Sequence, residues 1–75
     1  MERYKNLGGD SGIIGYEIGV DSITVQFRNG SVYLYNNLST GNSNIDHMKS
    51  LAVAGHGLNS FISTRVKTRY AAQLR

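Results

Sequence analysis

Apolar and polar residues alternate in three short segments of the first half of the chain, and this spacing is typical of β-strands with one buried face. In the first segment Ile14, Tyr16 and Ile18 occupy every second position. The second segment alternates most regularly, and the third is rich in residues that favour strands. Asn29 and Gly30 separate these two segments and form the strongest short signal for a hairpin. The pattern predicts a three-stranded antiparallel meander with strands at residues 13–18, 22–27 and 32–35.

The second half of the chain changes to helical spacing after a polar stretch, residues 36–44, which is predicted to be a loop. One main helix is expected to begin at a cap formed by Ser43 or Asn44 and to continue to about Ala54. The sequence Gly55-His56-Gly57 is expected to end it. A shorter second helix follows, and its apolar face is formed by Leu58, Phe61, Ile62 and Val66.

The predicted fold is α+β, because the three-stranded sheet must be packed by the main helix and by the short second helix. Asn59 is expected to cap the second helix. One domain is expected over residues 11–70, after a flexible lead-in of residues 1–10 and before a basic tail of residues 71–75. The predicted core contains Ile14, Tyr16, Ile23, Val25, Phe27, Met48, Leu51, Leu58 and Ile62.

Charge is unevenly distributed along the 75 residues, whose formal net charge is +3. The first 46 residues carry three cationic and five acidic side chains, whereas the remainder carries five cations and no acid. Such an asymmetry is typical of a surface that meets a polyanion. The chain has no cysteine and no long apolar run, which excludes disulfides, thiolate metal sites and a membrane helix. We therefore expect a cytoplasmic protein without membrane contact.

No residue pattern predicts catalysis, a metal ion or a small-molecule cofactor. The segment Gly9-Asp10-Ser11-Gly12 is similar to the nucleophile segment of trypsin-like proteases, but that chemistry needs a far larger scaffold. A turn that leads into the first strand explains it better. Asp46, His47 and His56 are the only conceivable metal ligands, and their spacing matches no recognised zinc site. The expected protein is therefore not an enzyme.

The residues Tyr33-Leu34-Tyr35 resemble the Tyr-x-Tyr motif of the KTSC domain, which is named for the C-terminal region of some lysyl-tRNA synthetases. Val66 departs from the family, which often has an aromatic residue there, and Leu38-Ser39 replaces its usual Val-Pro. The resemblance implies the family's small α+β fold and, through its fusion to a synthetase, binding to RNA. It covers about residues 11–70 and includes Ile14-Gly15-Tyr16-Glu17, Ile23-Thr24-Val25-Gln26-Phe27, Met48-Lys49-Ser50-Leu51-Ala52 and Gly55-His56-Gly57-Leu58-Asn59-Ser60-Phe61-Ile62.

The sheet face on which Tyr33 and Tyr35 lie depends on the length of the hairpin loop, because a shift of one residue moves every side chain to the other face. A two-residue loop would place both rings on the polar face, as a platform for stacking bases. A three-residue loop would pair Tyr33 with Val25 and Tyr35 with Ile23, so that both rings join the core. The resemblance favours buried rings, since the family often has a polar residue between its tyrosines.

The sequence as a whole predicts a small, basic, non-catalytic module that binds RNA or another single-stranded nucleic acid. Cationic side chains would contact phosphates, and the tyrosines would stack on bases if exposed. The residues predicted for these contacts are Arg28, Tyr33, Tyr35, Arg65, Lys67 and Arg69. The alternative is a protein-interaction adaptor or homo-oligomer that uses Val32 and Leu34 on the second face of the sheet.

Overall fold

The structure is a computed structural model that describes residues 1–9 and 11–75. In these residues one antiparallel sheet has the strand order β1-β2-β3-β4-β5. The strands are β1 (Glu2–Arg3), β2 (Ile13–Ile18), β3 (Ser22–Phe27), β4 (Val32–Asn36) and β5 (Ala72–Gln73). The helices are α1 (Asn37–Thr40), α2 (Asn42–Ala54) and α3 (Leu58–Phe61), which continues into a π-helix (Ile62–Val66). The α+β class and the antiparallel sheet are confirmed, whereas the predicted three strands and two helices are too few.

The two additional strands come from the ends of the chain, which were expected to lie outside the domain. Glu2 pairs with Tyr16 in β2, and the ring of Tyr4 is buried in the core. At the other end, the Ala71 N–H donates to the Leu34 carbonyl at 2.7 Å. Strands of two residues are too short to show alternation, so no periodicity marks them in the sequence. Asp10, the last residue of the expected lead-in, lies outside the described residues.

The hairpin between β3 and β4 has the three-residue loop. The Phe27 N–H donates to the Ser31 carbonyl at 2.8 Å, and the Gly30 N–H donates back to the Phe27 carbonyl at 2.9 Å. Gly30 has a φ of 94°, which glycine adopts without the strain that a Cβ would cause. The loop therefore turns both tyrosines of β4 toward the helices. The resulting strand pairs are Val25 with Tyr33 and Ile23 with Tyr35.

A β-bulge in β2 changes which isoleucine enters the core. Ile13 pairs with Phe27 and Gly15 pairs with Gln26, so the register shifts between these two pairs. As a result Ile13 is 1% exposed and Ile14 is 41% exposed. The prediction that Ile14 belongs to the core is wrong, because simple alternation does not anticipate the extra residue.

The core lies between one face of the sheet and the helices. Five of the predicted core residues are buried: Ile23, Val25, Met48, Leu58 and Ile62. Three more are partly buried and pack against the core: Tyr16, Phe27 and Leu51. The core also contains Tyr4, Ile13, Tyr35, Ile45, Ala52 and Val66. The sheet face that carries Thr24, Gln26 and Leu34 points away from it.

The polar stretch after β4 is helical rather than a loop. The Asn36 side chain accepts a hydrogen bond from the Ser39 N–H at 2.9 Å and caps α1. Gly41 then precedes α2, so neither Ser43 nor Asn44 is its cap. The predicted end of α2 at Gly55 is confirmed, with Gly55 in a left-handed conformation. In the described part of the chain, every helix is too short or too polar to cross a membrane.

Candidate nucleic-acid interface

Tyr33 and Tyr35 belong to an aromatic cluster on the helix-covered face of the sheet. The ring of Tyr70 stacks on Tyr33 with centroids 4.7 Å apart, and it meets Tyr35 edge-on at 6.3 Å. Tyr35 is 1% exposed, so it offers no ring face to a base, and the alternative with a buried ring holds for this residue. Burial, together with the neighbouring Tyr33 and Tyr70, raises the pKa of Tyr35 to about 12. Tyr33 stays partly exposed, with one ring face covered by Tyr70.

Arg65, Lys67 and Arg69 lie on one turn at the end of the π-helix, and all three residues are exposed. We call these three residues the basic turn. The Lys67 N–H donates to the Ile62 carbonyl at 2.7 Å as the last bond of the π-helix. The Arg69 N–H donates to the Val66 carbonyl at 2.8 Å. This second bond closes a β-turn in which Lys67 occupies the second position.

Lys67 has a backbone conformation that lysine rarely adopts, with a φ of 44° and a ψ of −109°. These angles are close to those of the second position of a type II′ turn, where glycine dominates. A residue with a Cβ is strained there by about 1–3 kcal/mol, and such strain is concentrated at functional sites. Short π-helical segments also occur frequently at functional sites. The lysine side chain is thus held at a position where glycine would be more stable.

The basic turn is fixed to the rest of the molecule on its C-terminal side. The Thr40 hydroxyl, at the end of α1, donates to the Arg69 carbonyl at 2.8 Å, and Thr40 is 2% exposed. The next residue, Tyr70, is held by its stack on Tyr33. Tyr33 therefore contributes to this site by positioning the basic turn through Tyr70.

Arg28, the fourth predicted phosphate ligand, lies in the β3–β4 hairpin loop. It lines a cavity of about 320 Å³ together with Arg3 and Lys5. We call this cavity the basic hollow. One guanidinium nitrogen of Arg28 donates to the Ser11 carbonyl at 3.2 Å, which orients the group. No acid is found among the described residues that line the basic hollow.

Three residues of these two sites were missed in the sequence. Arg3 and Lys5 belong to the half of the chain in which acids outnumber cations, and only the pairing of β1 with β2 brings them near Arg28. Tyr70 lies after the predicted second helix, in a stretch for which no helix or strand was predicted. Its position directly after Arg69 is a basic-aromatic sequence, and this was the one signal that could have identified it.

A second cavity, of about 270 Å³, lies between the N-terminal segment (residues 1–9) and the loop that joins α2 to α3. No acid, lysine or arginine is found among its described lining residues, so we call it the uncharged cleft. Asn59 lines it and makes no capping bond, since Gly57 precedes α3. The prediction that Asn59 caps this helix is wrong. The polar side chains of the cleft are those of Tyr4, Asn6, Ser11, His56, Asn59 and Ser60.

The histidines of the chain lie in separate places. His47 is on α2 with its ring 4.5 Å from that of Phe61, whereas His56 lines the uncharged cleft. Within residues 1–9 and 11–75, no three histidine, aspartate or glutamate side chains gather as metal ligands. Searches against protein-family models, curated proteins and solved structures found no match to this chain.

Proposed function

We propose that this chain is a small, non-catalytic module of the KTSC type that binds single-stranded RNA. The observation that carries the proposal is the distribution of cations. Six of the eight lysine and arginine residues form two groups, the basic turn and the basic hollow. A cysteine-free composition fits the reducing cytoplasm, where we expect the protein to act.

Phosphate contacts explain why the cations should act in groups. Lysine and arginine side chains that neutralise phosphates release counterions from the strand, and this supplies most of the sequence-independent affinity. Arg65, Lys67 and Arg69 reach outward from a turn whose backbone is fixed by Thr40 and Tyr70. A fixed turn loses little conformational entropy when it binds, so its charges are available at low cost.

The experiment that tests this function is a titration of a fluorescent RNA of about 12 nucleotides, a length in the range that small single-strand-binding domains cover. The variant Arg65→Gln/Arg69→Gln is compared with Lys49→Gln/Arg75→Gln, which removes the same net charge from outside both groups. We expect the first variant to weaken binding at least about 10-fold and the second to weaken it much less. Equal effects of the two variants would show that only net charge matters.

The alternative function, self-association through the second sheet face, has weaker support. Val32 was expected to be available to a partner, but it is 7% exposed. The Leu74 N–H donates to the Val32 carbonyl at 2.6 Å, and Leu74 lines the same depression as Val32. Light scattering provides the discriminating result. A mass that rises with protein concentration, together with no RNA binding, would favour the self-associating adaptor.

A further inference from the structure

The basic hollow and the uncharged cleft are adjacent, because Tyr4 and Asn6 line both cavities. Their chemistry differs sharply. The hollow is lined by Arg3, Lys5 and Arg28, whereas the cleft offers carboxamide, hydroxyl and imidazole groups. A phosphate fits the first environment and an uncharged heterocycle with donors and acceptors fits the second. A nucleotide carries these two groups on one sugar.

The N-terminal segment that separates the two cavities is held firmly in place. The Leu7 N–H donates to the Gly55 carbonyl at 2.7 Å. The Asn6 carboxamide accepts from the Ser11 N–H at 3.1 Å and donates to the Ser11 carbonyl at 3.4 Å. These bonds fix both walls before any ligand arrives, and preformed sites bind with a smaller entropic cost.

The cleft has the groups and the size for one base. Its volume of about 270 Å³ lies just below the roughly 300 Å³ at which pockets for drug-sized ligands begin. Tyr4 lines the cleft and is 3% exposed. Its hydroxyl accepts from the Leu58 N–H at 3.3 Å. Because the hydroxyl is the acceptor in this bond, its own hydrogen can be donated into the cleft. Asn59 adds a carboxamide, a group that pairs well with the edges of bases, and His56 adds a ring that can stack on one.

Ser11 links the two cavities. It lines the cleft, and its carbonyl accepts the bond that orients the Arg28 guanidinium in the hollow. The Ser11 hydroxyl accepts from the Ile13 N–H at 3.1 Å, at the start of β2. One residue therefore sets the relative position of the base-binding and phosphate-binding groups.

We propose that the uncharged cleft and the basic hollow together bind one nucleotide, with the base in the cleft and the phosphate in the hollow. The inference rests on the proposed function when the nucleotide belongs to an RNA strand. In that case the strand places one unstacked base in the cleft while its neighbouring phosphates reach the cations.

The test is an NMR titration of the whole chain with adenosine, inorganic phosphate and adenosine 5′-monophosphate as separate probes. We expect adenosine to shift the amide signals of His56, Asn59 and Ser60, and phosphate to shift those of Arg3, Lys5 and Arg28. The monophosphate should shift both sets and bind more tightly than either fragment. If adenosine shifts no cleft signal and the monophosphate binds no more tightly than phosphate, the inference is overturned.

Two variants separate this inference from the function on which it rests. Asn59→Ala should weaken monophosphate binding at least about 5-fold, the effect of one lost hydrogen bond, and leave phosphate binding unchanged. Asn42→Ala, at an exposed asparagine of α2, is the matched control. If Asn59→Ala changes neither monophosphate binding nor RNA binding, the nucleotide site is overturned and the RNA function stands. Monophosphate binding without RNA binding would instead make this a site for free nucleotides.

Discussion

Lys67 is the residue whose conformation says most about the site. Val66 was predicted as the last residue on the apolar face of the second helix, and the π-helix spans Ile62–Val66. The turn that follows could not be predicted, because a lysine argues against a φ of 44°. Packing on both sides of the turn overrides that local preference, since Val66 is buried and the Arg69 carbonyl is bonded to Thr40.

Replacing Lys67 with glycine should stabilise the protein while it weakens RNA binding. Relief of the strain, offset by the greater flexibility of glycine in the unfolded chain, should raise the free energy of unfolding by about 1 kcal/mol. Lys67→Ala is the control, because it removes the same charge but keeps a Cβ. Urea denaturation measures both variants. If the glycine variant is no more stable than the alanine variant, Lys67 is not strained.

The raised pKa of Tyr35 predicts that the protein loses stability in alkaline solution. Burial raises its pKa from 10.0 to about 12, so between these values the unfolded chain releases a proton that the folded chain retains. The free energy of unfolding should be independent of this group below about pH 10 and should fall by about 2 kcal/mol as the pH rises to 12. Urea denaturation at a series of pH values, compared with Tyr35→Phe, measures the effect. An equally steep fall in the phenylalanine variant would contradict it.

At the scale of elements, the strands and helices with several alternating or helical positions were predicted, and their exact pairing was not. β3 was clear because its alternation is regular over six residues. The register of β4 stayed open because Asn29 and Gly30 are compatible with a two-residue loop and with a three-residue loop that has a bulge at the glycine. Tertiary contacts decide between them: the three-residue loop lets Tyr35 join the core beside the helices.

Gly55 ends α2 and contacts the N-terminal segment, so its replacement should disturb the end of the helix and the packing of that segment. It has a φ of 84°, and an added Cβ would lie 2.8 Å from the Cβ of Lys5. Gly9 has a φ of 83° with nothing within 4 Å of an added Cβ, so Gly9→Ala isolates the backbone effect. Gly55→Ala should cost about 1–3 kcal/mol more than Gly9→Ala in thermal or urea unfolding. Equal costs would mean that the N-terminal segment does not pack on the loop.

Tyr70 should determine how firmly β5 is attached to the sheet. The stack on Tyr33 is worth about 0.5–1.5 kcal/mol, so Tyr70→Ala should speed the hydrogen exchange of nearby amides roughly 2- to 10-fold. The reporters are the amides of Ala71 and Leu74, which bond to β4. Tyr70→Phe retains the ring and should exchange like the parent protein. Faster exchange throughout β3 as well would indicate general destabilisation rather than release of β5.

At the scale of the whole molecule, the fold brings together cationic side chains that are far apart in the sequence. The basic turn was predicted because its three cations are close neighbours in the chain. The basic hollow was not, because the chain separates Arg28 from Arg3 and Lys5 by more than twenty residues. The uncharged cleft was likewise hidden, since one wall comes from Tyr4, Asn6, Gly8 and Ser11 and the other from His56, Gly57, Asn59 and Ser60. Local sequence therefore predicted one of the two basic groups, and long-range pairing creates the other.

The salt dependence of RNA binding tests most directly whether these cations meet phosphates. For single strands, each neutralised phosphate contributes about −0.7 to the slope of log K against log salt concentration. A group of three cations should therefore give a slope of about −2, and both groups together about −4, between roughly 50 and 200 mM salt. Neutralising the basic turn should make the slope shallower by about 2. Affinity that hardly changes with salt, with a slope shallower than about −1, would contradict phosphate binding by either group.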